Sequence, residues 1–232
     1  MPRPDAPAPR PRVKRQKARK PDAAATRENI LAVAREEFAE HGLAGARVDA
    51  IAARTSTAKR MIYYYFGSKE GLYLAALEAA YANIRHSEVE LKVDQLSPVD
   101  AIVRLIEFTF DYDEAHPEFI RLVMAENINH GEYVARSDTI RQRNRGVIAM
   151  LRQILERGQR EGVFREGIDP VDIHMLISAF CFFRVSNRYT FGALFGRDLS
   201  EPSVRAAHKK MLADAVLTLL AAEAQKAGSK AA

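Results

Sequence analysis

A single cysteine in 232 residues, Cys181 in the run ISAFCFF, leaves no disulfide possible within the chain. Its apolar neighbours make that thiol a small buried hydrophobe. The longest apolar runs, LISAFCFF and AVLTLLAA, are far shorter than the roughly 20 residues a bilayer span requires. The N-terminus is basic but lacks the apolar segment of a signal peptide, so the chain reads as cytoplasmic, with no membrane partner. Six histidines (His41, His86, His116, His130, His174 and His208) show no HxxxH or HxH spacing and no cysteine partner, which argues against a metal site. GxGxxG, P-loop, GxSxG and HExxH patterns are missing too. No cofactor and no catalytic residue is therefore expected. Asp111, Asp113 and Glu114 come nearest to a catalytic carboxylate pair, and they read better as the polar side of one helix end.

What is present is an ordinary globular composition, 47% hydrophobic and 8% aromatic, with an uneven charge. Residues 1–70 carry 15 Lys/Arg against 8 Asp/Glu, whereas residues 71–232 carry 20 against 22. Cations gathered at one end suit a polyanion partner there. Eight of them lie in the first 20 residues, so a solubilising tail is the competing reading. That opening stretch, MPRPDAPAPRPRVKRQKARKPD, is rich in proline and cations and has little to bury, which predicts a disordered arm over residues 1–22.

After Pro21 the pattern becomes helical. Asp22 is placed to cap a helix in which Ile30, Leu31, Ala34, Phe38 and Ala39 recur at three- and four-residue spacing, and Gly42 ends it. A second short helix follows in VDAIAARTST, with Val48, Ile51 and Ala52 on one side. Thr55-Ser56-Thr57 breaks the chain, and AKRMIYYYF starts a third helix that Gly67 terminates. A strand over MIYYYF would have no partner nearby. On the helix, Ala58, Ile62 and Phe66 form one stripe, assigned to a small core with Phe38 and Ile51. The other side shows Arg60, Tyr63 and Tyr64 beside Lys59. Phenol hydroxyls bond phosphate oxygens, their rings pack on sugars or thymine methyls, and the cations supply salt-dependent attraction, so this face suits DNA. Tyr65 falls near the stripe, and core and DNA remain equal readings for it.

Residues 24–74 resemble the N-terminal domain of the tetracycline-repressor (TetR) family of bacterial transcription regulators. ILAVAREEFAEHGLAGARVDAIA carries the likeness for the first two helices, and KRMIYYYFGSKEGLYLAAL for the recognition helix and its successor. The resemblance implies an all-α homodimeric repressor that binds double-stranded operator DNA and whose second domain takes a small effector. By position, it places DNA contacts at Arg47 and Val48, at Ala58, Lys59, Arg60 and Met61, at Tyr63, Tyr64 and Tyr65, and at Lys69. Three departures stand out: Thr55-Ser56-Thr57 replaces a glycine-containing turn, Ala58 replaces a serine, and Arg60 replaces a small residue and could read guanine.

The remainder predicts six more helices, about nine in all. Ser68 opens one to about Val93; Ser97-Pro98, His116-Pro117, Ser137-Asp138, Asp169-Pro170 and Glu201-Pro202 open the others, the last running to about Ala224. The expected division is an arm at 1–22, a helix-turn-helix domain at 23–70, a ligand and dimerisation domain at 71–227 and a tail at 228–232. HPEFIRLVMAENINHGEYV and FGALFGRDLS resemble the RutR-type subgroup. The Val171–Phe195 stretch is apolar nearly all round, and Val204, Met211, Leu212, Ala215, Val216, Leu219 and Leu220 form a stripe on the last helix. Both are ordinary core helices on one reading; the resemblance makes them a four-helix dimer interface. For the effector pocket, Phe108, Tyr112, Arg121, Met124, Asn127, Asn144, Ile148, Phe180 and Arg184 combine apolar walls with a few polar groups. A regulator governed by protein partners without an effector is the alternative, and a helical enzyme or scaffold with a basic tail is the remaining one.

Overall fold

A computed structural model describes residues 23–222, and its regular structure there is helical apart from one isolated antiparallel bridge between Phe164 and Ala221. The expected arm, the Asp22 cap and the tail lie outside the described residues. The helices are α1 (Ala23–Gly45), α2 (Val48–Arg54), α3 (Lys59–Phe66), α4 (Lys69–Val89), α5 (Pro98–Ala115), α6 (Pro117–Ile128), α7 (Glu132–Ala135), α8 (Asp138–Arg160), α9 (Pro170–Ser186), α10 (Arg188–Phe195) and α11 (Pro202–Leu220). A 3-10 turn at Val93–Gln95 joins α4 to α5.

Local chemistry explains most of the boundaries. The Ser68, Ser97 and Ser137 hydroxyls accept from the amides of Gly71, Asp100 and Ile140 at 3.0–3.2 Å, and the Asp169 carboxylate accepts from Val171 at 2.8 Å. Prolines occupy the first turn of α5, α6, α9 and α11. Gly42 breaks α1 with φ 64° and ψ 178°, where the helix was expected to end. Among the described residues there are eleven α-helices rather than nine, for two reasons. The expected His116-Pro117 helix stops at a turn through His130 and Gly131, both at positive φ, and restarts as α7. The long Val171–Phe195 helix is interrupted at Asn187, which serves as both the end of α9 and the start of α10.

Two apolar clusters hold these helices. One joins Phe110, Leu151, Ile177, Leu212 and Val216 across α5, α8, α9 and α11. The other gathers Phe38, Ile51, Ile62 and Tyr73 with Leu122 of α6 and Ile140 of α8. The second cluster does not stop at residue 70. The helix-turn-helix shares its core with the base of the larger domain, so a tilt of α4 is felt on both sides.

Candidate nucleic-acid interface

The residues expected at the DNA surface sit mainly on α2 and α3. Glu37, buried in α1, accepts the Arg47 backbone N–H at 3.0 Å and so fixes where α2 begins. The turn after α2 has Ser56 in the left-handed region at φ 51°, a strain the sequence announced by lacking glycine there. The Thr57 amide donates to the Ala52 carbonyl at 3.0 Å, and the buried Thr55 hydroxyl to Ile51 at 2.8 Å, which hold that strain in place. Gly71 lets α4 start tightly against α3: a Cβ there would lie 2.2 Å from the Phe66 carbonyl oxygen.

On α3 only Ile62 is fully buried. Lys59 and Arg60 are exposed, Tyr63 is 39% and Tyr64 78% exposed, and Met61 is half-buried. Tyr65 is half-buried, packs on the small core, and meets the Tyr64 and Phe66 rings edge-on at 5.5 and 6.3 Å. The core reading of Tyr65 is the one its packing favours. Two placements differ from expectation. Ala58 precedes the first turn of α3 and is exposed, so it leaves the expected buried stripe. Val48 is buried, its side chain packed against the small core.

The cations are oriented by partners that sequence reasoning did not name. The Lys59 ammonium pairs with Asp49 of α2 at 2.9 Å, which raises its pKa above the ordinary lysine value. Lys69 donates to the Ala44 carbonyl at 3.2 Å, and Arg54 pairs with Glu36. Arg47 is exposed at the start of α2.

The nine expected pocket residues do not line one cavity. Arg121, Met124 and Asn127 face outward, because α6 turns Ile120, Leu122 and Glu126 inward and those positions fall on its other side. Asn127 and the half-buried Asn144 spend their amides on backbone carbonyls one turn earlier, and Ile148 is half-buried. Tyr112 is buried, stacked on His116 at 4.0 Å and tilted against Phe108 at 5.5 Å. Arg184 is buried and its terminal nitrogens are engaged: it donates to Glu114 at 2.6 Å and to the Leu199 carbonyl at 2.8 Å, contacts His208, and lies over the Phe110 ring, while its buried Nε donates to nothing among the described residues. Phe180 meets the same His208 edge-on. This group braces α5, α9 and α11 together beside a cavity of about 310 Å³.

Sequence reasoning passed over a second ionisable group. Arg85 and Glu88 of α4 form a buried ion pair at 2.6 Å. Burial pushes Glu88 up to about 7, with Arg85 opposing, and pushes the buried Asp113 of α5 up to about 7 with the same opposition. Burial, helped by Arg85, pulls His174 of α9 down to about 4. The i,i+3 spacing of Arg85 and Glu88 was visible in the sequence; that two more helices bring Asp113 and His174 toward them was not.

The outward side of α9 and α11 carries several exposed apolar side chains. Val171, Met175, Leu176 and Phe183 are exposed on α9, and Met211 and Leu219 on α11, while Ile173, Ile177, Cys181, Leu212, Val216 and Leu220 are buried. The expected single stripe on the last helix thus divides into an inner and an outer face. Among the described residues no helix is long and apolar enough to cross a membrane.

Comparison with known proteins agrees with this architecture. Residues 30–76 match the family described as bacterial regulatory proteins, tetR family, and residues 98–216 match the tetracyclin repressor-like C-terminal domain. The HTH-type transcriptional repressor NicS of Pseudomonas putida is 35% identical over 192 residues, covering 83% of this chain and 91% of that protein. The likeness to the regulator RutR of Escherichia coli is narrower, 29% over 102 residues, 44% of this chain and 48% of that one. The crystal structure of the putative transcriptional regulator SCO4942 from Streptomyces coelicolor superimposes with a TM-score of 0.63 at 32% identity, covering 84% of this chain and 98% of that chain. The chain belongs to the tetR family of bacterial regulatory proteins and is a DNA-binding transcriptional regulator.

Proposed function

We propose that this regulator is a homodimeric repressor which a small-molecule effector releases from its operator. The observation that carries the DNA part is the α3 surface, where Lys59, Arg60, Tyr63 and Tyr64 are exposed on a helix anchored by buried Ile62 with half-buried Tyr65 and Phe66. A second copy packed on the outer faces of α9 and α11 supports two such surfaces on one axis, and covers apolar area that a lone chain leaves in water. Two recognition helices about 34–36 Å apart then enter successive major grooves. The shared core around Tyr73, Leu122 and Ile140 supports coupling, because α4 carries the DNA domain and also packs on α8. The similarity to NicS, named a transcriptional repressor, favours repression over activation. Footprinting on the promoter beside its own gene, with sedimentation of the free protein, tests the reading. Protection of two half-sites one helical turn apart by a dimer is the expected result. A monomer in solution, or a reporter whose expression falls when the gene is deleted, would overturn it.

A further inference from the structure

Between α4 and α8 lies a cleft of about 390 Å³ to which neither α9 nor α11 contributes. Its floor is Arg85 with Glu88, whose side chains are only 11% and 5% exposed. Both Glu88 oxygens rest on one terminal nitrogen of Arg85, at 2.6 and 2.8 Å. The Arg85 Nε is buried and, among the described residues, donates to nothing. Only one terminal nitrogen is committed; the other makes no hydrogen bond among the described residues, and a guanidinium can only donate. One wall is apolar, from buried Val147 and half-buried Met150. Beside them Gly146 leaves the α8 backbone bare, with nothing within 4 Å of where its Cβ would stand. At the rim Arg143 is exposed and, among the described residues, joins no ion pair. Arg85 and Arg143 against Glu88 leave the cleft's own lining with one cation in excess.

We infer that this cleft takes a small organic acid, its carboxylate on Arg85 and its flat apolar body along Gly146, Val147 and Met150. The inference rests on the reading that an effector binds this domain, and names the chemical class. A carboxylate accepts a charge-assisted hydrogen bond from the terminal nitrogen of Arg85 that Glu88 leaves free; an amide carbonyl accepts a weaker, uncharged one, and an ammonium offers no acceptor at all. The bare stretch of α8 at Gly146 admits a ring close to the helix axis, which any side chain would prevent. The incoming charge is tolerable because the charged neighbours are balanced around it. Arg85 on α4 and Arg143 on α8 oppose Glu88 and the Asp113 of α5, while His174 of α9 is held neutral. Glu88 and Asp113, both pushed up to about 7, take up a proton near neutral pH more readily than surface carboxylates do.

The test uses the full chain and three isosteric probes, benzoate, benzamide and benzylamine, followed by saturation-transfer NMR. Benzoate is expected to bind, with the amide and the amine roughly tenfold weaker or more, the usual scale of one charge-assisted pair. Arg85→Met is expected to weaken benzoate by a similar factor. Because that variant leaves buried carboxylates unopposed, Gly146→Leu provides the independent check. It fills the cleft from an exposed helical position where leucine is the better helix former, so binding is lost while the melting temperature holds or rises. Equal binding of the three probes, no transfer to benzoate, or benzoate binding that survives Gly146→Leu overturns the inference. Operator release by a ligand outside this class would sink the class and leave the effector reading standing. Benzoate seated in the cleft with no effect on an operator complex would support the site and count against the effector reading.

Discussion

The Tyr73 hydroxyl of α4 donates to the buried Glu126 carboxylate of α6 at 3.1 Å, across 53 residues of sequence. The other Glu126 oxygen accepts the backbone amides of Tyr133 and Val134 at 2.6 and 2.9 Å, which pins the start of α7. Burial, together with Glu126, pushes the Tyr73 phenol well above its ordinary pKa, so it stays a donor at physiological pH. One carboxylate thus ties the helix that carries the DNA domain to the turn between α6 and α7. Tyr73→Phe should cost about 1–3 kcal/mol, the range for removing one partner of a buried charged hydrogen bond. Glu126→Ala should cost more, because two backbone amides lose their acceptor. Urea denaturation of the three proteins checks the order, and equal midpoints would refute the role given to Glu126.

On the DNA face, Tyr63→Phe, Arg60→Ala and Lys59→Ala should each weaken operator binding while dimer and helicity are kept. Asp49→Asn should act oppositely, since it frees the Lys59 ammonium and removes a negative charge from the surface. Fluorescence anisotropy on a selected operator gives the affinities at several salt concentrations. Lys59→Ala should also lower the slope of log K against log salt by about one counterion. Wild-type affinity in all three loss variants would move the interface elsewhere.

Ser56 bears a left-handed backbone at φ 51° between α2 and α3. Glycine adopts that conformation without the Cβ clash, which costs other residues roughly 1–2 kcal/mol, though it loses more freedom on folding. Ser56→Gly should therefore raise stability by about 0.5–1 kcal/mol. A higher thermal midpoint with unchanged operator affinity is the expected outcome; a lower midpoint would mean that Ser56 makes compensating contacts in solution.

The buried acids predict a pH trend. Glu88 and Asp113 have folded-state pKa values raised to about 7, so the folded chain holds protons that the unfolded chain has already released. Their contribution is complete at low pH and is lost as pH rises through 7. His174, lowered to about 4, works the other way below about 6.5 and drops out above it, where it is neutral in both states. Between pH 6.5 and 8 stability should therefore fall with rising pH, and Glu88→Gln should flatten that fall. Chemical denaturation across the window reads both slopes, and a rising stability would contradict the assignment.

How far the sequence reached differs from element to element. Caps and first-turn prolines are local chemistry, and Ser68, Ser97, Ser137 and Asp169 were legible because each side chain bonds an amide two or three residues on. The α3 surface was legible too, since one helical turn decides that Ile62 goes in while Arg60 and Tyr63 stay out. The sequence by itself determined the all-helical class, the helix-turn-helix and the charge exposed on α3. Only the tertiary structure decided that Arg121, Met124 and Asn127 face outward, and that Arg184 donates to Glu114 and the Leu199 carbonyl. It alone brought Asp113 and His174 toward Arg85, and Glu126 to Tyr73. The physical reason is range. Capping and amphipathic period act within a few residues, whereas the partner of a buried charge is chosen by helix packing across the whole fold, which no local pattern encodes.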